Sequence, residues 1–508
     1  MERIEHKIHV AVILTLALVC LILLQVVAAA ATYYVDATSG NDSNPGTELQ
    51  PWKTVQKAAS TMNAGDTCIV LSGNYAGTVS ITKSGSTGNP IVYQANAGAV
   101  LNGSFNINAD FVRIAGFEVV GGYIFVSENS EYCEILDNYV HDRDPSNYPG
   151  PTCGMRICGS YCTVRGNRII RAVHAGIDLK GQNNLIENND IGYTLPNPAD
   201  LSWQNADGMR FFGTGHTIRG NYIHDLTLIE AEGATYHIDC FQTWGPASDI
   251  VFEQNYYSQA VPTNIMRIEA MDGTTVKNLT FKNNIFVSRY LVAYGPVAIF
   301  DGVIENITFV HNTFVHAEGI GSGAFCLSNI TGIVVKNNIF YNFCDATHNY
   351  ITLYSGSSGI IGYNCIYNSN GVYPSKGGYS NDLWGVDPKF ISFEGLSFSL
   401  QPNSPCIDKG ETLSNVTNDY AGNPRPQGAG YDIGAYEYMQ SNQPPVADAG
   451  PDQTVVDSDR NGSEQVTLDG SGSSDPDGNI VSFVWSEGGS QIATGVKPTV
   501  TLPLGTHI

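Results

Sequence analysis

The chain has 508 residues, a formal net charge of −23 and only 14% charged residues, with 54 Gly and 27 Tyr. The surplus of carboxylates excludes nucleic acid as a partner, because phosphate would be repelled. Sparse charge with abundant Gly, Asn, Thr, Ser and Tyr excludes a helical cytosolic enzyme and points to an all-β extracellular protein.

Arg3 and Lys7 precede an apolar run from Val10 to Val27, which ends in Ala28 to Ala31. A basic start, an apolar stretch and small residues before Thr32 mark residues 1–31 as a signal peptide. The protein is therefore expected to be secreted or held at the cell surface. The run is also near the ~20 residues that span a bilayer, so an uncleaved anchor is the alternative. Cleavage leaves ten cysteines, from Cys68 to Cys406. An even number permits disulfides in an exported chain, yet several stand at strand positions that suit buried thiols. After Pro51-Trp52, the segment Gln56 to Met62 is amphipathic. It is expected to form a short helix over the first coil, whose bare edge would otherwise recruit other chains.

From Leu136 onward one phrase recurs: alternating apolar residues, an Asn, then another apolar pair. Its copies centre on Asn138, Asn167, Asn189, Asn221, Asn255, Asn284, Asn312, Asn338 and Asn364, spaced 22 to 34 residues apart. Such a period predicts a solenoid, and the period-two alternation makes each copy a strand. Residues 32–438 are thus expected to form a right-handed parallel β-helix in which stacked coils close a core that no single coil buries. The Asn column reads as a ladder: Asn tolerates the left-handed backbone of a sharp turn, and its amide reaches the Asn of the next coil.

Five strands preceding the Asn phrases align as Gly154–Cys158, Gly176–Lys180, Gly208–Phe212, Cys240–Trp244 and Ile265–Glu269. Alternation sends Met155, Ile177, Met209, Phe241 and Met266 inward. It sends out a row of Arg156, Asp178, Arg210, Gln242 and Arg267, flanked by Cys158, Lys180, Phe212, Trp244 and Glu269. Guanidinium forks match carboxylates, and aromatic faces suit sugar rings. A basic and aromatic groove in an acidic protein predicts an anionic, uronate-containing polysaccharide as partner. A stacked Arg–Asp–Arg salt-bridge ladder is the structural alternative. Asp207 and Asp239 precede neighbouring strands, within Asn205–Gly208 and His237–Cys240, and His174 stands similarly before Ala175; His237 is read as a substrate contact. Stacked Asp side chains share a proton, bind a cation or cap a bend. Ca²⁺ needs several oxygens, for which Asp178, Asp207 and Asp239 are the candidates.

Val386-Asp387-Pro388, Ser404–Asp408 and Asp432–Glu437 read as a closing cap, and residues 439–445 as a linker. Residues 446–508 carry Pro445–Gly450, Leu468–Gly478 and Phe483-Val484-Trp485. These motifs resemble a polycystic-kidney-disease (PKD) type domain, which implies an immunoglobulin-like β-sandwich that stops short of its last strands at Ile508. Such a domain spaces or displays its neighbour, consistent with cell-surface attachment; a monomer is expected.

The opening Tyr33-Tyr34-Val35, Gly40-Asn41-Asp42, Pro51–Ala58, Asn63–Thr67 and Gly73-Asn74-Tyr75 resembles that of secreted right-handed β-helix proteins. These include polysaccharide lyases of the pectate and alginate/chondroitin types. The stretch Asn205-Ala206-Asp207-Gly208 is similar to a segment of family-nine pectate lyases. That resemblance implies Ca²⁺ held by Asp and a Lys as base, although Arg210 stands where a small residue is expected. Two mechanisms follow. In β-elimination a cation or Arg neutralises the uronate carboxylate, and Lys180 or Arg210 removes the C5 proton. In hydrolysis two carboxylates flank the bond, with Asp207 and Asp239 or Asp178 and Glu269 as pairs. A non-catalytic glycan-binding surface protein is the third reading.

Overall fold

The computed structural model describes residues 30–143, 153–196, 203–228, 235–258, 263–290, 295–321, 323–354, 356–374, 379–439, 444–475 and 480–508. The expected signal peptide lies almost wholly outside these. The chain divides into two compact units, the first ending at Glu437 and the second spanning Tyr438–Ile508.

The first unit is a right-handed parallel β-helix with three strand ribbons per coil. One ribbon is a 14-stranded parallel sheet, running from Thr32–Val35 to Ser358–Gly362. The second holds the strands that follow each Asn, such as Arg168–Ile170 and Tyr222–His224. The third holds Cys153–Ile157, His174–Leu179, Trp203–Phe211, Phe241–Thr243, Met266–Ile268 and Val297–Ile299. The long strands Gly73–Ile81 and Ala99–Ile107 pair along their whole length and join the second and third ribbons at the first coils.

In-register stacking makes like sit on like. Phe252, Phe281 and Phe309 stack with centroids 4.5 and 4.7 Å apart, close to the spacing of paired strands. Phe286, Phe314 and Phe340 repeat this at 4.5 and 5.0 Å. All ten described cysteines are free, and nine of them are buried.

The Asn ladder is continuous and buried. Each amide nitrogen donates to the carboxamide oxygen of the next coil at 2.9 to 3.1 Å, from Asn138 to Asn364. That oxygen also accepts the preceding rung's backbone N–H, as Asn255 does from Asn221 at 2.9 Å. Asp382 ends the ladder, accepting from the Asn364 backbone at 2.9 Å. The left-handed residue is not the ladder Asn, as expected from sequence, but the one before it: Asp137, Asn188, Gln254, Asn283, His311, Asn337 and Tyr363 all have φ between 54° and 58°. The turn thus aims the Asn inward, where its amide serves the backbone.

A second corner is set by close approach. A Cβ on Gly154, Gly176 or Gly208 would lie 2.5, 2.3 and 2.3 Å from Ile169, Ile191 and Ile223, which leaves room only for glycine. This pins the second ribbon against the start of the third.

The expected helix is present as Val55–Thr61, N-capped by Thr54 Oγ1, which accepts from Lys57 N at 3.1 Å. It buries Val55, Ala58 and Ala59 over the first coil. The expected closing cap divides in two. Residues 379–400 cover the last coil, with Trp384 and Tyr379 against Tyr350. The remainder runs back along the Asn corner as a strap: Gln254, Asn283 and Asn337 donate to the carbonyls of Asp419, Asn418 and Glu411. Arg425 and Glu437 form a fully buried ion pair at 2.6 Å, with Arg425 also bonding Asn283 and the Gly434 carbonyl. Sequence proximity to the end suggested a cap; the free edges of the left-handed turns are what the strap satisfies.

The second unit contains two antiparallel pairs, Ser463–Thr467 with Thr499–Pro503 and Val484–Glu487 with Ser490–Thr494. Antiparallel pairing is what a β-sandwich requires.

Asn255→Ala should lower the midpoint of thermal and urea unfolding by the equivalent of about 3 kcal/mol. It removes bonds to Ile218 O and Asn284 Oδ1 and leaves the buried Asn221 amide without its acceptor.

Candidate active site

The register places Arg156, Asp178, Arg210, Gln242 and Arg267 in one row, Cα opposite Cα. The alternating partners Met155, Ile157, Ile177, Leu179, Met209, Phe211, Phe241, Met266 and Ile268 are completely buried. After Arg267 the row continues as Ala298, Cys326 and Thr352, so charge is confined to five rungs.

Two adjoining cavities lie over this row. One, of about 540 Å³, is walled by Arg156, Asp178, Lys180, Arg210, Phe212 and Trp244. The other, of about 410 Å³, is walled by Arg210, His237, Gln242, Trp244, Arg267 and Glu269. Arg210, Trp244 and Met271 belong to both, so the two form a groove along the stacking direction. Phe212 and Trp244 meet edge to face at 4.9 Å. Lys180 Nζ stands 5.6 Å over the Phe212 ring, and the Arg210 guanidinium 5.4 Å over Trp244.

The arginines are paired. Arg156 Nε is 2.9 Å from Asp178, Arg210 Nε 2.7 Å from Asp207, and Arg267 NH2 2.5 Å from Glu269. The expected Arg156–Asp178 link is therefore real, but the ladder does not continue to Arg210, whose partner lies on its own strand. Lys180 is exposed and has no carboxylate partner among the described residues.

Asp207 is the hub beneath the floor. Its Oδ1 accepts from Asp239 N at 3.0 Å, and its Oδ2 accepts from Arg210 Nε at 2.7 Å and Gln242 Nε2 at 2.5 Å. Arg210 is further fixed by donating to the His174 carbonyl at 3.2 Å. Asp239 is buried beside Asp207, and its Oδ2 accepts no hydrogen bond among the described residues. Burial and the neighbouring Asp207 charge push the Asp239 pKa far above the carboxylate range, so its carboxyl is held towards the protonated form. His237 Nδ1 lies 3.8 Å from Asp239 Oδ2.

Asp207, His237 and Asp239 bring one donor atom each to within 4.8 Å of one another. This set does not fit Ca²⁺, which takes six to eight oxygens: both Asp207 oxygens are already engaged, and one of the three donors is an imidazole. Asp178, expected to join Asp207 and Asp239, stands instead in the outward-pointing row, itself buried and paired with Arg156. The column reading grouped the three aspartates by strand position; the chain corner at Gly208 separates them. Asn205, Met271, Asp272, Thr274 and Asp301 also line the groove and were not foreseen. Four of them lie on segments flanking the rungs, where alternation carries no signal.

His216 supports the aromatic wall. Its Nδ1 accepts from Asn184 N at 3.1 Å and its Nε2 donates to the Phe212 carbonyl at 2.8 Å. Burial lowers its pKa to about 4. Between pH 6.5 and 4 the unfolded chain takes up a proton there that the folded protein refuses, so stability should fall as the pH falls. The loss should approach about 3 kcal/mol and level off below the folded pKa. Urea titrations from pH 7 to 4 check this; His216→Asn should remove that part of the dependence. Arg210→Met should destabilise the fold by about 3 kcal/mol by stranding the buried Asp207 charge, and adding Asp207→Asn should recover much of the loss.

The model of a family described as "Protein of unknown function (DUF1565)" matches residues 38–82, within the opening segment. The uncharacterized protein YwoF of Bacillus subtilis is 26% identical over 132 residues, which cover 21% of this chain and 28% of YwoF. This chain thus matches little more than a quarter of that relative. Among solved structures, a GH136 lacto-N-biosidase from Eubacterium ramulus superimposes with a TM-score of 0.46 at 12% identity, covering 66% of this chain and 68% of that one. The pectate lyase Pel9A superimposes with a TM-score of 0.51 at 18% identity, covering 81% of this chain and 97% of that one, and it shares the parallel β-helix fold.

Proposed function

We propose that the protein is a secreted carbohydrate-active enzyme that cleaves an anionic, uronate-containing polysaccharide by β-elimination. The observation that carries this reading is the coincidence of cations, aromatics and two adjoining cavities on the same five rungs. An extended polymer laid along the stacking direction meets Phe212 and Trp244 as sugar platforms. Lys180, which has no carboxylate partner among the described residues, takes a uronate carboxylate in the larger cavity. Arg267 neutralises the reacting uronate in the smaller one, which acidifies its C5 proton. Arg210, held by Asp207, His174 and Trp244, acts as a fixed cation, since a guanidinium does not deprotonate in this range. The Ca²⁺ expected from sequence is replaced here by these guanidinium groups. The PKD-like unit serves as spacer or surface attachment.

A second reading has a specific basis. Asp207 and Asp239 are neighbouring carboxyl groups, one gripped by donors and the other held towards its protonated form, which is the division of labour of a hydrolase. Both are covered by the groove floor, so elimination is preferred.

Incubation with polygalacturonate, alginate and chondroitin in EDTA should generate new reducing ends together with ultraviolet absorbance from the C4–C5 double bond. Arg267→Ala should lower kcat/KM about 100-fold, and Lys180→Ala should raise KM several-fold with little change in kcat. New ends without absorbance would establish hydrolysis. Binding on glycan arrays with neither product would make this a glycan-holding protein.

A further inference from the structure

Elimination needs a group that removes the C5 proton while a cation holds the carboxylate. Beside Arg267, in the smaller cavity, stands His237. Its side chain is 14% exposed and lines the groove, whereas that of Asp239 is 2% exposed and sits at its back. His237 is carried by a strand, Thr235–His237, that pairs with Trp203–Asn205 and places His237 opposite Asn205, so its position is set by the ribbon.

We propose that His237 is the proton-transfer residue of this groove and that Asp239 is its positioning residue. This rests on the elimination reading. The 3.8 Å separation from Nδ1 to Asp239 Oδ2 is longer than a hydrogen bond, as acid–base pairs commonly are before substrate arrives. Asp239 Oδ2 has acceptor capacity that no described residue uses. It is therefore placed to receive Nδ1–H as the imidazole turns towards a bound sugar, and so to fix the orientation of the ring.

The charges facing His237 are those of Asp207, Asp239, Arg210, Arg267 and Glu269. Burial, then Arg267, with Arg210 adding and Asp207 opposing, hold the imidazole pKa below its ordinary value. The ring is thus neutral, and basic, at neutral pH. In the step, imidazole takes the C5 proton, and the C5–H pair forms the C4–C5 double bond. The C4–O4 bond breaks, with its electrons leaving on O4. The imidazolium returns the proton to O4, so the products are an unsaturated uronate and a new sugar hydroxyl, with no co-reactant consumed.

The test uses the full chain and the polymer that gives the ultraviolet product. His237→Gln should reduce kcat by about 10³-fold with KM within about threefold. Asp239→Asn should reduce kcat by about 10- to 100-fold. In the wild type, kcat/KM should fall as the pH drops through the His237 pKa, read independently from its imidazole NMR signal. His237→Ala should regain turnover with added imidazole, which a merely structural role would not allow. If the wild type eliminates and His237→Gln does so equally well, His237 is not the base; if only KM rises, it is a binding residue. If the wild type yields no unsaturated product on any uronate polymer, the elimination reading itself falls and this assignment with it.

Discussion

The amide of each ladder Asn spans one coil step, and the rest of the molecule depends on that span being the same every time. Because the buried carboxamide donates to the next carboxamide and accepts from the previous backbone, a one-residue slip would break the ladder at every coil above it. A slip would also exchange inward and outward side chains, bringing Arg156, Arg210 and Arg267 into the Phe core. The glycine corner at Gly154, Gly176 and Gly208 fixes the opposite end of the same turn. The groove row is therefore as well defined as the core behind it.

That rigidity explains how the groove tolerates so many buried polar groups. Asp207 is completely buried, yet its two oxygens receive three donors: Arg210 on its own strand, and Gln242 and the Asp239 backbone from the next coil. A buried charge is stable only when it is gripped in this way. The same grip removes Asp207 from the pool of metal ligands. Gln242, also buried, lines the smaller cavity and donates to Asp207 Oδ2. The guanidinium of Arg210 is fixed by the same network, held between Asp207 and the His174 carbonyl.

Much of this was legible in the residues. The Asn period marked the coils, and alternation on five strands put Arg156, Asp178, Arg210, Gln242 and Arg267 in one row, because a strand's side-chain direction is a local property. What was not legible depends on corners and on partners far apart in the chain. Whether Asp178 joins Asp207 is decided at the bend before Gly208, which strand alternation ignores. That His237 lies against Asp239 follows from the short strand Thr235–His237 adding to Trp203–Asn205. The left-handed residue precedes the ladder Asn because the Asn side chain must point in, a demand that only the stacked neighbour reveals.

The strap sharpens the division of labour between faces. It docks on the corner formed by Gln254, Asn283, His311 and Asn337, where left-handed turns leave polar groups for a second chain segment to satisfy. Its buried Arg425–Glu437 pair commits it there, since withdrawing either partner would leave a charge in a dry environment. The groove lies on another ribbon, with its aromatics and Lys180 turned to solvent. A segment committed to the Asn corner stiffens the coils that carry Gln242 and Arg267 without covering them. Among the described residues the long return segment thus holds register at the Asn corner and leaves the charged, aromatic row on the other ribbon open.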